Sequence, residues 1–254
     1  MRRHLVWMLA ICGAMSVAGV AMATDSTGSN FSILASKVTP TKLSKTKFKP
    51  AKIFVDTSTL SNANPGTPAS PGNIPVPTTD VTLQFDKSQI KLTYKGLPQC
   101  KVSLEGTTTA TARQMCASSE VGSGSATACI GAAGSPCNGK VSFVVTAFNG
   151  PTKNGNPTLI LHSRNDGLAL TTVLVGTYNT KKYTLDVPIP ASVYTLATIT
   201  DFKTTVKKSF KSKGKKYSYV SARCKKGKIP LKGKFTYLGS EPTDNEVSNS
   251  KCTN

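Results

Sequence analysis

The residues that could carry out acid–base chemistry are few. Beyond the first 23 residues the chain keeps one histidine, His162, in the stretch LILHSRND, and Ser163 and Asp166 lie close to it in sequence. A serine, a histidine and an aspartate can form the nucleophile, base and orienting acid of a hydrolase. On a β-strand, however, Ser163 would point to the face opposite His162, and no G-x-S-x-G turn presents a nucleophilic serine. Because His162 is two residues from Ile160 on the same strand face, we expect it to have a structural position at the edge of the core. The alternative is a secreted hydrolase that pairs His162 with an acid.

Neither the carboxylates nor the glycines form a recognisable catalytic pattern. Glycoside hydrolysis needs two acids at a fixed separation across a cleft, whereas the 12 acidic residues are scattered singly along the chain. The glycine-rich stretch VGSGSATA lacks the Gly-Lys-Ser/Thr ending of a phosphate-binding loop. We interpret it as a strand or turn beside a disulfide. No catalytic residue, metal site or cofactor is therefore predicted.

Positive charge is the strongest chemical signal in the chain. There are 32 lysines and arginines against 12 acids, for a formal charge of +20, and no acid lies between Phe202 and Ser240. Such a field attracts polyanions and is screened by salt. Lysine outnumbers arginine, which is the residue that recognises bases and planar phosphates best, so specific nucleic-acid recognition is not predicted. The expected partners are anionic envelope polymers or a membrane surface, and the alternative is that the lysines only protect sheet edges from aggregation.

The lysines are expected to lie on one face of a three-strand meander. Its strands would span 198–210, 217–224 and 229–238, with turns at Gly214 and Gly227. In the third strand, four apolar or aromatic side chains alternate with lysines, which places the two sets on opposite faces. The candidate anion-binding residues are Lys203, Lys207, Lys211, Lys228, Lys232 and Lys234.

The remaining elements indicate an all-β fold, mostly antiparallel. Segments with alternating apolar residues follow one another from Val81 onward at intervals of about ten residues, as in a β-sandwich or a barrel-like domain. A single short helix is expected at 109–120. Two short strands are expected within 37–60, and 61–80 is predicted to be a Pro/Gly-rich loop.

Residues 1–23 are predicted to be a secretory signal peptide. A basic start is followed by an apolar stretch, and Ala21-Met22-Ala23 fits the rule for cleavage after Ala23. The alternative is an uncleaved membrane anchor. We expect a secreted protein of the cell envelope or the extracellular space, with a disordered start at 24–36 and a single β-rich domain at 37–254.

The cysteines beyond the first 23 residues are predicted to form disulfides. They are even in number in a chain expected to be exported, which is typical of a disulfide framework. The sequence has no C-x-x-C pair and no histidine near these cysteines, so a zinc site is not predicted. Several connectivities are open. Proximity in sequence favours Cys100–Cys116, Cys129–Cys137 and Cys224–Cys252.

A series of short motifs lies between about 80 and 252. They are G-L-P-x-C (Gly96 to Cys100), Cys116 followed by V-G-x-G-x-A (Val121 to Ala126), F-N-G (Phe148 to Gly150), L-I-L-H ending at His162, A-x-C ending at Cys224, and Cys252. Together these motifs resemble an uncharacterised family of secreted bacterial β-rich proteins. The resemblance implies one secreted domain and assigns no activity, cofactor or partner. Cys129 and Cys137 lie outside the shared pattern, which supports pairing them with each other.

Overall fold

The computed structural model describes residues 28–61 and 72–254, and most of them lie in β-strands. The strands are β1 (Asn30–Thr39), β2 (Lys49–Pro50), β3 (Lys52–Ser61), β4 (Thr78–Phe85), β5 (Ile90–Leu92), β6 (Glu120–Cys129), β7 (Lys140–Lys153), β8 (Asn156–Asn165), β9 (Leu170–Asn179), β10 (Thr184–Pro188), β11 (Thr198–Val206), β12 (Ser209–Ser212), β13 (Lys215–Ser218), β14 (Val220–Ala222), β15 (Lys228–Tyr237) and β16 (Asp244–Lys251). The helices are α1 (Thr109–Cys116), which a 3₁₀ turn at Ala117–Ser119 extends, and the single turn α2 (Ala191–Tyr194).

Eleven strands form one antiparallel sheet that is nearly closed into a barrel. Their order is β1-β3-β11-β6-β7-β8-β9-β10-β4-β15-β16. The prediction of an all-β, disulfide-bonded, barrel-like domain is confirmed. The apolar alternation of β4 is also confirmed, since Val81, Leu83 and Phe85 all face the barrel interior.

Strands β1 and β16 meet at a seam where side chains replace the usual ladder of backbone hydrogen bonds. The two strands run in the same direction. The Ser32 amide donates to Asp244 Oδ2 at 2.9 Å and the Ser36 amide donates to Ser248 Oγ at 2.8 Å. Beyond the strands, the Leu43 amide donates to the Thr253 carbonyl at 2.8 Å. Backbone donors on the β1 edge are thus satisfied without a further strand, which protects an edge that would otherwise pair with another chain.

One end of the barrel is covered by a small structure that we call the cap, defined as residues 41–50, 86–95 and 207–227. It contains the three-stranded sheet β2-β14-β5 and the hairpin β12-β13. The side chains of Tyr219 and Val220 face the barrel interior. The apolar side of the cap therefore closes the barrel, and its other side faces solvent.

The predicted three-strand meander is wrong. Its first strand, β11, lies between β3 and β6, and its third, β15, lies between β4 and β16. The middle segment is divided between the hairpin and the small sheet of the cap. Alternation predicts that a segment is a strand but does not identify its partners. Of the two predicted turns, the one at Gly214 forms a hairpin and the one at Gly227 does not. At the hairpin, Lys213 and Gly214 both adopt positive φ, as a two-residue hairpin loop requires.

The V-G-x-G motif explains in part why β11 pairs with β6. A Cβ atom at Gly122 would collide with the Thr205 carbonyl, and one at Gly124 would collide with the Lys203 carbonyl. Residues without a side chain therefore let the two strands approach closely.

Two further boundaries differ from those predicted. The disordered start expected at 24–36 is wrong for residues 30–36, which belong to β1. The inward residues of that strand are mostly polar, including Ser32 and Ser36, so its sequence lacks an apolar alternation. The loop expected at 61–80 overlaps β4, which begins at Thr78, whereas 62–71 and the predicted signal peptide at 1–23 lie outside the described residues.

All three predicted disulfides are confirmed. They join Cys100 to Cys116, Cys129 to Cys137 and Cys224 to Cys252. Disulfides form and persist in oxidising compartments, which favours an extracellular or otherwise oxidising location. The third disulfide ties the cap to the end of β16.

Candidate functional site

His162 is buried on the outer face of β8, away from the barrel interior. It is 0 % exposed and lies beneath the segment at 96–119 that carries α1. Its Nε2 lies 3.1 Å from both the hydroxyl and the carbonyl oxygen of Thr107. Because a carbonyl oxygen only accepts, Nε2 carries the ring proton and donates it. Burial lowers the pKa of His162, and the bond to the Thr107 backbone only partly opposes that shift.

The residues around His162 do not form a catalytic triad. Ser163 points to the opposite face of β8, as its adjacency in sequence predicts. Asp166 accepts a hydrogen bond from Arg164 Nε at 2.8 Å. Among residues 28–61 and 72–254, no carboxylate hydrogen-bonds the imidazole ring. The geometry assigns His162 the role of anchoring the covering segment through Thr107.

Strand β16 carries a pair of carboxyl groups that the sequence analysis missed. Asp244 and Glu246 are two residues apart on the strand and both face the seam, where Glu246 is 3 % exposed. The Asp244 carboxylate accepts from the Tyr237 hydroxyl at 2.6 Å. Burial and, to a lesser extent, the neighbouring Asp244 together raise the pKa of Glu246 to about 7. The spacing of Asp244 and Glu246 could have identified this pair in the sequence, because residues two apart on a strand share a face.

The described ranges contain neither a metal-binding cluster nor a membrane-spanning helix. No group of three or more histidine, cysteine or acidic side chains could hold a metal ion there. No helix in the described part of the chain combines the length and the apolar character needed to cross a membrane.

The solvent side of the cap carries a dense set of exposed lysines. Within the described residues, none of these lysines makes a salt bridge, and the cap holds a single acid, Asp86. The exposed lysines are Lys42, Lys45, Lys47, Lys49, Lys87, Lys91, Lys95, Lys207, Lys211, Lys213, Lys215, Lys216, Lys225 and Lys226.

Asp86 is engaged in its own turn and offers little charge compensation. Its carboxylate accepts from the Ser88 amide at 2.8 Å and from Gln89 Nε2 at 3.0 Å. Burial on its own would raise the pKa of Asp86. The hydrogen bonds from Gln89 and Ser88 outweigh burial and hold the pKa below its usual value.

The six predicted anion-binding lysines do not share one face. Lys207 and Lys211 belong to the cap. Lys203 lies on the barrel wall, where its Nζ is 3.0 Å from Asp201 and 3.8 Å from Asp56. The hydrogen bond to Asp201 is the main cause of the raised pKa of Lys203. This lysine is already neutralised by the protein.

The lysines of β15 are placed as the alternation predicts. Lys228, Lys232 and Lys234 are exposed, while Ile229, Leu231 and Gly233 are buried. Because β15 begins directly after the cap, this row extends the lysine-rich side of the cap down the barrel wall. We call the cap lysines and this row together the basic surface.

Arg223 holds the three segments of the cap together. Its Nε donates to the Ser88 carbonyl at 2.6 Å and its Nη1 donates to the Thr46 carbonyl at 3.0 Å. Its guanidinium group also lies 4.5 Å from the centre of the Phe48 ring. The lone arginine of the cap is therefore a structural residue, and the lysines are the groups available to a partner.

No family model, curated protein or solved structure matches the chain. The family resemblance inferred from the motifs stays a prediction.

Proposed function

We propose that the protein is exported and acts without catalysis, by associating with anionic polymers of the cell envelope or its surroundings through the basic surface. The single observation that carries this proposal is the set of exposed, unpaired lysines on the cap, where the only acid, Asp86, is bound within its own turn. The disulfides support an oxidising location, and the predicted signal peptide supports export.

The spacing of the lysines suits a polymer that carries many charges. Lys211 of β12 pairs directly with Lys216 of β13, and both side chains are exposed on the same face of the hairpin. Directly paired residues have Cβ atoms about 4.5–5.5 Å apart. That distance is within the Debye length of about 8 Å at physiological ionic strength. Their fields overlap, and a flexible polyanion can engage several lysines at once.

The surface favours a soluble polymer over a membrane. Binding to a bilayer is strengthened by apolar side chains that enter the headgroup region. Tyr217 is the one large apolar or aromatic residue exposed on the described cap, and it stacks on Phe210 with ring centres 5.6 Å apart. The surface offers charge without an apolar anchor. Lysine is a strongly hydrated point charge, so we expect the basic surface to select its polymer by charge density and not by a particular chemical group.

The distribution of charge also argues against a role in solubility alone. Lysines that serve solubility are expected to be interspersed with acids over the whole surface. Here the cap concentrates them on one end of the barrel with a single acid. The hydrolase alternative is not supported, because His162 is buried and bonded to Thr107.

Retention on immobilised polyphosphate tests the proposal. A variant with Lys45, Lys47, Lys225 and Lys226 changed to glutamine should elute at clearly lower salt than the wild type. A matched control changes four exposed lysines outside the basic surface and removes the same net charge: Lys140, Lys153, Lys181 and Lys182. The control should elute near the wild-type position. Equal losses in both variants would show that only net charge matters and would refute a role for the cap. Anionic vesicles form a second arm, and stronger binding to vesicles than to polyphosphate would contradict the preference for a soluble polymer.

A further inference from the structure

The barrel interior contains a cavity with a volume of about 140 Å³ in the described part of the chain. Its walls are mainly apolar side chains from the inward faces of the strands, including Leu83, Leu161, Leu174 and Val187. Protein interiors normally pack with few voids larger than a water molecule. A space of this size inside a small barrel therefore needs an explanation beyond packing.

Several inward-facing side chains are only half-buried. Val55, Phe85, Phe202 and Val206 line the cavity and keep an intermediate exposure, although they point into the barrel. In a filled core, side chains in these positions would be covered completely. Strands β3, β4 and β11 thus contribute side chains to the cavity wall.

Two hydroxyl groups in the cavity wall have no hydrogen-bond partner among the described residues. They are the Tyr178 hydroxyl on β9 and the Thr204 hydroxyl on β11, and these residues are 6 % and 7 % exposed. A buried polar group without a partner is destabilising and is uncommon in native proteins. Tyr178 is held in place by edge-to-face contacts with Phe85 and Tyr183, at centroid distances of 6.4 and 5.8 Å. Tyr178 and Thr204 both belong to the cavity lining, so a molecule inside the cavity is the candidate partner for their hydroxyls.

The charge of the wall restricts the kind of molecule. Asp201 is the one aspartate, glutamate, lysine, arginine or histidine in the described lining, and it already accepts from Ser58 at 3.0 Å and from Lys203 at 3.0 Å. A charged group placed among the apolar side chains would have no partner, which is costly. A neutral molecule avoids that cost.

We propose that this cavity binds one small neutral molecule with an apolar ring and a single hydroxyl or carbonyl group. The ring packs against the apolar wall, and the polar group hydrogen-bonds Tyr178, with Thr204 as a second partner. An apolar cavity of roughly 150 Å³ accommodates benzene, which sets the size at about one substituted ring. Burial raises the pKa of Tyr178, so its hydroxyl stays a neutral donor at physiological pH. This site is independent of the basic surface on the outside of the cap.

The probes are p-cresol, toluene and benzoate, titrated into the disulfide-bonded protein and followed by NMR. We expect p-cresol to bind more tightly than toluene and benzoate not to bind. Tyr178→Phe keeps the ring and removes the hydroxyl, and should weaken p-cresol binding by up to about tenfold, as one lost hydrogen bond predicts, while toluene binding stays unchanged. Val55→Phe fills the cavity and should abolish binding of both rings, whereas Val144→Phe on the exposed outer face of β7 should leave both unchanged.

Each other outcome contradicts the proposal. If the wild type binds neither p-cresol nor toluene, the cavity is not a ligand site. Binding that survives Val55→Phe in a folded protein places the ring elsewhere. Equal affinity for p-cresol and toluene, or binding of benzoate, refutes the proposed ligand class. Should Val55→Phe fail to fold, the Tyr178→Phe comparison decides the result on its own.

Discussion

Replacing Glu246 by glutamine should stabilise the protein at neutral pH. Glu246 faces the seam, is 3 % exposed, and has one carboxyl oxygen without a hydrogen-bond partner among the described residues. No lysine or arginine forms a salt bridge with it there. Its charged form is therefore unfavourable in the folded state, and glutamine supplies a neutral side chain of nearly the same shape.

The size of the effect follows from the shift in pKa. Burial raises the pKa of Glu246 from 4.5 to about 7. At about 1.4 kcal/mol per pH unit, this shift corresponds to as much as about 3 kcal/mol. The folded state holds the proton more tightly than the unfolded chain. The contribution of Glu246 to stability is therefore fully present below pH 4.5 and is lost as the pH rises through about 7. Asp244 acts in the same direction, because burial raises its pKa as well.

Urea unfolding at pH 4.5, 6.0 and about 7.5 measures this dependence. The free energy of unfolding of Glu246→Gln should stay close to that of the wild type at pH 4.5 and should exceed it increasingly as the pH rises through about 7. The lowered pKa of His162 acts in the opposite direction in both proteins and cancels in this difference. Glu105→Gln, at an exposed glutamate, is the matched control and should follow the wild type. A difference between Glu246→Gln and the wild type that stays constant between pH 4.5 and about 7.5 would refute the reasoning. So would a glutamine variant that is less stable than the wild type at the upper pH.

Three further changes test the fold. Gly124→Ala should lower the free energy of unfolding by at least about 1–3 kcal/mol, because its Cβ meets the Lys203 carbonyl, whereas Gly139→Ala, with no atom within 4 Å, should be nearly neutral in the same urea titration. Replacing both cysteines of Cys224–Cys252 by serine should cost about 1 kcal/mol more than replacing those of Cys129–Cys137, because the sequence separations are 28 and 8; equal midpoints in chemical denaturation would contradict this order. Arg223→Ala should make the cap more susceptible to limited proteolysis than the exposed-residue change Arg113→Ala, and an unchanged cleavage pattern would argue that Arg223 does not hold the cap together.

The local properties of the chain were predictable from its sequence. The alternation in β4 and β15 predicted strands and identified their inward faces correctly. The disulfides followed from the proximity of cysteines in sequence, since each pair closes a short loop. These features depend on neighbouring residues, and the local pattern is sufficient to predict them.

The long-range arrangement was not predictable in the same way. Strands β11 and β15 alternate in the way that a meander would, yet β11 pairs with β6 and β15 pairs with β4. For β11, the pairing depends on close approach at Gly122 and Gly124, which involves two segments that are distant in sequence. Strand β1 was missed because three of its five inward residues are polar, and two of these, Ser32 and Ser36, hydrogen-bond β16 across the seam. Three separate lysine-rich segments form the cap, so the position of the basic surface emerges only from the tertiary structure.

The salt dependence of polyphosphate binding tests the central claim most directly. The affinity of the wild type should fall linearly on a plot of log K against log salt, and each lysine contact should contribute roughly 0.7–0.9 to the slope. The variant lacking Lys45, Lys47, Lys225 and Lys226 should show a slope smaller by roughly 3. The control lacking four lysines outside the basic surface should keep the wild-type slope. An affinity that does not change with salt, or a cap variant with an unchanged slope, would contradict a function based on the basic surface.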